Sequence, residues 1–317
     1  MKIGIQCSSI GERCGIYTYS MRLQKYLEKH GVDTVMFANK CKEKVDIISV
    51  QYEPGLMPQN VLKGLIDSYS QPIIVTVHHT GYLPYMYDQI DGMIFHNQNQ
   101  IPSGDNQPWN HIVIPHPALV YDKKKKEDMR KKYGIPLDKT VIGTAGFIAG
   151  TGKHIPEITS NFLEKLKKDE FLYNITSFWK GGDFGYSDMV NSSVRKLGKE
   201  DSFKMDTEFI PAEILNEKMQ CCDLLYTWNE SLEPGGTSGI AMDMIGAWRK
   251  LIVKDAPHYK TAADIKEVLV GRQKHPDFVD DALKALRKED LNKVADPKPY
   301  DWDVLIKDMI EYFETWL

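Results

Sequence analysis

The sequence predicts an α/β protein of two doubly wound, Rossmann-like domains facing across a cleft, with an apolar C-terminal helix that crosses back. Three observations predict it. Short apolar runs alternate with amphipathic helical patterns from Lys2 to Ile114, and the alternation restarts at Thr140 and continues to Val253. Between the two series the composition shifts to a charged run, Asp122 to Lys132, closed by Gly134-Ile135-Pro136. That shift sets the expected domains at residues 1–137 and 138–300, and a chain of 317 residues is long enough for two cores. The tail from Pro297 to Leu317 carries Trp302, Leu305, Ile306, Met309, Ile310, Phe313 and Trp316. Such a helix is too apolar to stand free, so residues 301–317 are expected to pack back on the first domain.

In the first domain Lys2 to Gln6 reads as a strand and Ser8 to Gly15 as a loop of small residues. Tyr17 to His30 is an amphipathic helix with Tyr19, Leu23, Tyr26 and Leu27 inward; Gly31 is its C-cap, and Thr34 to Phe37 the second strand. Four more strands follow, Asp46 to Gln51, Ile73 to His78, Gly92 to Phe95 and Ile112 to Ile114. Each stops in a polar or aromatic cluster: Gln51-Tyr52-Glu53-Pro54-Gly55, His78-His79-Thr80-Gly81-Tyr82, His96-Asn97-Gln98 and Pro115-His116-Pro117. Doubly wound sheets take their ligands at the carboxyl ends of the strands. His78, His79, His96 and His116 are therefore candidates by position, with ordinary structural hydrogen bonding as the competing reading for each. The tyrosines of Tyr82-Leu83-Pro84-Tyr85-Met86-Tyr87 either stack on a ligand or pack as core. The lysines of Asp122-Lys123-Lys124-Lys125-Lys126-Glu127 read as a solvated helix and linker, with polyanion binding as the alternative.

The second domain repeats the scheme. Thr140 to Gly146 is a strand, and Phe147-Ile148-Ala149-Gly150-Thr151-Gly152-Lys153 is a small-residue loop ending in a lysine that could bring positive charge to a phosphate. A helix from Glu157 to Lys168, a strand from Tyr173 to Phe178, the segment Phe203 to Ile210, a helix from Ala212 to Cys222 and a strand from Asp223 to Trp228 follow. Then comes Glu233-Pro234-Gly235-Gly236-Thr237-Ser238-Gly239-Ile240, a glycine turn that opens into a helix capped by Thr237 or Ser238. Ile240, Ala241, Met244, Ile245 and Trp248 fall at helical spacing on its inner face. A helix start behind a glycine turn offers unpaired amides and the positive end of a dipole, both of which favour a phosphate.

Composition narrows the function classes. With 42% hydrophobic and 26% charged residues the chain is an ordinary globular one. A net charge of −4 supplies no global field for nucleic acid. The five cysteines are odd in number and form no CxxC pair, so neither a disulfide framework nor a zinc site is expected. No apolar run approaches the ~20 residues of a membrane span, and Lys2 begins a strand rather than a leader, so a cytoplasmic protein is expected.

Six segments, in order and spacing, resemble the retaining GT-B glycosyltransferases of the large nucleotide-sugar-dependent family (the glycosyl transferases group 1 type). They are Cys14-Gly15-Ile16-Tyr17-Thr18-Tyr19, Val50 to Gly55, Val75 to His78, Val113-Ile114-Pro115-His116, Gly146 to Lys153, and Gly236-Thr237-Ser238-Gly239-Ile240 to Gly246. The resemblance implies transfer of a sugar from a UDP- or GDP-sugar with retention of configuration, and no cofactor or metal. By the same resemblance the loop Gly11 to Gly15 lies beneath the donor diphosphate, His78 near the transferred sugar, and Lys153 on the leaving group. The amides around Gly236, Thr237, Ser238 and Gly239 hold the terminal phosphate, and Asp243 stands where the family places a ribose-binding glutamate. Tyr52, Glu53 and His79 fall on the acceptor side.

The sequence departs from the family at two places. The family's earlier glutamate, eight positions before the later one, is Gly235 here, with Glu233 or Glu230 as substitutes. The loop arginine is missing, with Lys180 or Arg249 as replacements. A nucleotide-sugar-binding protein without catalysis and a nucleotide-sugar epimerase are the alternative functions. The acceptor (a glycan, a lipid-linked glycan, a small molecule or, on the lysine run alone, a nucleic acid), any membrane association and the oligomeric state are not legible.

Overall fold

Aliphatic and β-branched runs without polar alternation, such as residues 73–77 and 251–253, suit strands covered on both faces. They form two six-stranded sheets in which every pairing is parallel. The computed structural model describes all residues except 82, 103–106, 149–154, 179–184 and 230–234. The chain divides into a first unit, Met1–Pro117 with Glu233–Thr237 and Pro299–Leu317, and a second, Ala118–Leu232 with Ser238–Lys298. The division falls after Pro117, about twenty residues ahead of the expected boundary near Asp138. The charged run explains the difference. Its lysines and Arg130 pair with Glu217 and Asp223 of the second unit, so the segment is part of that unit and not a linker.

The first unit contains β1 (Lys2–Gln6), α1 (Gly15–Lys29), β2 (Asp33–Phe37), β3 (Ile47–Tyr52), α2 (Gln59–Ile66), β4 (Ile73–Val77), β5 (Gly92–Phe95) and β6 (His111–Val113). Its strand order is β2-β1-β3-β4-β5-β6. The order reverses between β1 and β3, which makes the carboxyl ends Gln6 and Tyr52 a topological switch point. Strands β3, β4 and β5 are buried along their whole length. Their side chains build a core with Leu62 and Leu65 of α2 and with Leu83, Met86 and Tyr87 of a 3-10 segment, Leu83–Gln89.

The second unit contains α3 (Lys126–Tyr133), β7 (Thr140–Ile148), α4 (Ile155–Lys165), β8 (Glu170–Phe178), α5 (Tyr186–Leu197), β9 (Phe203–Asp206), α6 (Ala212–Met219) and β10 (Leu224–Thr227). It continues with α7 (Gly239–Ile245), β11 (Lys250–Lys254), α8 (Lys260–Ala263), β12 (Leu269–Gly271) and α9 (His275–Lys288). Its order, β12-β11-β10-β7-β8-β9, puts the switch point between β7 and β10. Phe162 and Leu163 of α4, with Leu166 just after it, meet Phe278, Leu283 and Leu286 of α9 over Ile142, Leu172 and Leu224 of the sheet. The helix α7 stops at Ile245, so Trp248 lies beyond it, in a left-handed conformation with φ +58°, and not on the helical face expected for it.

The chain ends in the first unit with α10 (Trp302–Glu314), capped by the Asp301 carboxylate, which accepts from the Asp303 amide at 3.0 Å. Trp302 is fully buried between Tyr19 and Tyr26 of α1, and Lys29 pairs with Asp303 at 2.6 Å. Tyr312 Oη accepts from the Met93 amide and donates to the Asn110 carbonyl, both at 3.1 Å, which ties α10 to the sheet.

Candidate active site

In the first unit, the ends of β4 and β5 hold the glycine turn that precedes α7. His79 bridges to Gly236, and the Thr80 amide donates to the Gly235 carbonyl at 3.0 Å. Gln100 Nε2 reaches the same carbonyl at 3.2 Å, and Asn97 Nδ2 donates to Thr237 Oγ1 at 3.0 Å. Gly235 is a glycine for want of space. A Cβ there would stand 2.2 Å from Thr80 Oγ1 and 3.2 Å from the Thr80 amide nitrogen.

Behind this turn lies a ring cluster. Tyr19 sits edge-on to His78 at 4.5 Å and to His116 at 5.2 Å, and His96 lies 4.9 Å from His116. Burial holds His78 and His96 neutral, pushing the first well below the usual imidazole range and the second down to about 3. The network fixes their tautomers. His96 Nδ1 donates to the Ile114 carbonyl at 3.0 Å. Gln51 gives its amide hydrogen to Ser49, which leaves Oε1 to accept from His78 Nε2 at 3.1 Å. His78 Nδ1 is then a bare acceptor. Around the same sheet edge, Gln6 Oε1 and Tyr19 Oη are buried polar atoms with no partner among the described residues. Each such atom costs free energy until a hydroxyl or water satisfies it.

In the second unit, Ser238 is the N-cap of α7, its Oγ accepting from the Ala241 amide at 3.4 Å. Its own amide donates to the His258 carbonyl at 3.1 Å, so it is not one of the free donors expected there. Helical geometry leaves the first-turn amides of Gly239 and Ile240 for an anion. The switch point itself is a small hollow lined by Gly146, Phe147, Thr176, Tyr226, Thr227 and Trp228. Tyr226 Oη in its wall is buried without a partner among the described residues. Lys254, at the carboxyl end of β11, is buried with its ammonium 4.6 Å from the Trp228 ring and 2.6 Å from the Asn229 carbonyl.

No protein-family model matches the chain, and none of the curated proteins matches it in sequence. Solved structures do match, over almost the whole length. A sucrose-phosphate synthase from Thermosynechococcus elongatus superposes with a TM-score of 0.74 at 10% identity, covering 99% of this chain and 98% of its own. HepE from Anabaena, solved in complex with UDP and glucose, gives 0.70 at 13% identity over 99% and 100%. A glycosyltransferase from Rickettsia africae gives 0.71 at 12% identity over 99% and 98%. The chain has the GT-B fold.

Gly236 meets His79 and Thr237 meets Asn97 in the first unit, while Ser238, Gly239 and Asp243 lie in the second. Asp243 is buried, and its Oδ1 accepts from the Leu119 amide at 3.2 Å. Gly15 begins α1 and is exposed, with open space where a Cβ would stand. Tyr52 packs in the core, and the Glu53 carbonyl closes the turn after β3 by accepting from the Leu56 and Met57 amides. Of the aromatic segment, Tyr87 is core and Tyr85 is exposed. Lys153, Glu233, Glu230 and Lys180 lie outside the described residues. Arg249 precedes β11 at the amino end of the sheet, the opposite edge from the switch point, so it does not replace the missing loop arginine. Lys254 and Gln100 are not among the residues the sequence reading singles out; a place at or just beyond a strand end is the signal that marks them. Among the described residues, no three His, Cys, Asp or Glu are placed to hold a metal ion, and no helix is long and apolar enough to cross a membrane.

Proposed function

We propose that the protein is a glycosyltransferase that takes a sugar from a UDP-sugar and passes it, with retention at the anomeric carbon, to a hydroxyl acceptor. The observation that carries this reading is the likeness of the whole chain, at 99% coverage, to a protein solved with UDP and glucose. The second unit would hold the nucleotide. The Gly239 and Ile240 amides and the Ser238 hydroxyl meet the terminal phosphate, Asp243 the ribose, and Lys153 the charge that grows as the sugar–phosphate bond breaks. Lys254 is the second cation in this scheme, in place of an arginine.

In the first unit His78 Nδ1 carries a lone pair of the kind that accepts from a sugar hydroxyl. Gly15 leaves room for a ligand against the start of α1. The step balances without a protein base. The anomeric C–O bond to phosphate breaks, the bond to the acceptor oxygen forms on the same face, and the acceptor proton leaves on the phosphate oxygen of UDP. A neutral His78 suits such a step, since it is a positioning acceptor and not a proton donor.

A second reading, nucleotide-sugar binding without turnover, is favoured by one observation. The position of the family's earlier glutamate is Gly235, where even a Cβ would collide with Thr80. A thermal-shift screen against nucleoside diphosphates and their sugars, followed by an assay for free UDP, separates the two. Stabilisation by UDP-sugars together with UDP release supports transfer; stabilisation without release over any acceptor supports the binding protein. No shift with any nucleotide defeats both.

A further inference from the structure

The lysine run and Arg249 are not absorbed by that function, and the fold brings them together. At the amino ends of β10 and β11, the edge of the second sheet remote from its switch point, a cavity of ≈ 390 Å³ is lined by Lys123, Lys124, Lys125, Lys126, Trp248 and Arg249. Two carboxylates, Glu127 and Asp223, also face it. Asp223 is fully engaged: it accepts from Arg130 at 2.5 Å, from the Val141 amide at 2.7 Å and from Lys126. Lys124 is held by Glu217. Lys123 and Lys125 are exposed and make no ion pair among the described residues.

Arg249 is the unusual member. It is 8% exposed, and its guanidinium donates only to neutral oxygens, the Gln220 carbonyl at 3.0 and 2.6 Å and the Trp248 carbonyl at 2.9 Å. Among the described residues no carboxylate hydrogen-bonds to it, and Asp223, the nearest negative charge acting on it, is held by Arg130 and Lys126. A buried cation with its nearest carboxylate engaged elsewhere is costly, and burial lowers its proton affinity. Two of its five N–H groups remain. Beside it, Trp248 is held at φ +58°, a conformation that non-glycine residues rarely adopt, with its indole pinned to the Tyr121 carbonyl at 2.8 Å. Backbone strain of this kind persists where the surroundings enforce it and gathers at binding sites. The eight-residue helix α3 starts at the same opening with no side-chain cap on its first turn.

We propose that this cavity is an anion site that takes the phosphate or diphosphate group of a small molecule, distinct from the nucleotide site at the carboxyl edge. Its volume lies within the range of small-molecule pockets, and a phosphate there would pair with Arg249 and span Lys123 and Lys125.

The test is calorimetric titration of the intact protein with inorganic pyrophosphate, with and without saturating UDP. With UDP present, pyrophosphate should still bind one saturable site. The double variant Lys123→Ala/Lys125→Ala, which touches exposed lysines outside any ion pair, should weaken that binding about tenfold and leave UDP binding unchanged. Arg249→Met, checked for folding by its melting temperature, should weaken it further. Pyrophosphate binding that disappears once UDP is present, or equal affinity in all three proteins, overturns the proposal. If UDP itself fails to bind, the donor reading falls while the pyrophosphate titrations still decide this one.

Discussion

His96 carries a residue-scale consequence of the fold. Its imidazole is buried among Tyr19, His78 and His116, and its pKa falls from the ordinary 6.5 to about 3. The unfolded chain therefore binds a proton that the folded chain refuses at any pH between those values. Stability is complete above about 6.5 and declines as the pH falls towards about 3. From pH 7 to pH 5 the loss from this group is roughly 2 kcal/mol, with His78 adding in the same direction. Melting curves at the two pH values should show it, and His96→Gln should have a visibly flatter dependence; an identical slope would contradict the buried neutral imidazole. Asp243 offers a second test at this scale. Asp243→Asn keeps an oxygen for the Leu119 amide and so should melt near the wild type, while UDP affinity drops about tenfold with the loss of a charged acceptor. Unchanged UDP titration would remove Asp243 from the nucleotide site.

At the scale of elements, α10 shows why a strongly apolar tail must dock. Trp302, Ile306, Met309 and Phe313 are all but fully buried in the first unit, so Trp302→Ala should cost about 3–5 kcal/mol, read by chemical unfolding. A cost under about 1 kcal/mol would mean that the helix is dispensable. This helix was plain in the sequence because its apolar residues recur at helical spacing, and the buried strands were plain because β-branched runs such as residues 73–77 do not alternate. Other elements gave no such signal. The short β12 and α8 are too brief for any period, and α2 carries only Leu62 and Leu65 inward. The end of α7 was misjudged because Trp248 fell at helical spacing by coincidence while its backbone turns left-handed. Of the site, the strand-end histidines and the Ser238 cap were legible from position. Arg249 was not, since which edge of a sheet a residue joins depends on where its strand begins, and boundaries are the least certain part of a sequence.

For the molecule as a whole, both sheets reverse their strand order once, and a buried polar atom without a partner among the described residues stands on a strand flanking each reversal: Gln6 Oε1 in the first unit, Tyr226 Oη in the second. What this chain shares with proteins only 10–13% identical to it is the fold. In the proposed function the second unit binds a nucleoside diphosphate through the start of α7. Calorimetric titration of the intact protein with UDP tests it most directly. One saturable site, weakened by Asp243→Asn and untouched by Lys123→Ala/Lys125→Ala, is the predicted result; the absence of binding by UDP and GDP alike would contradict it.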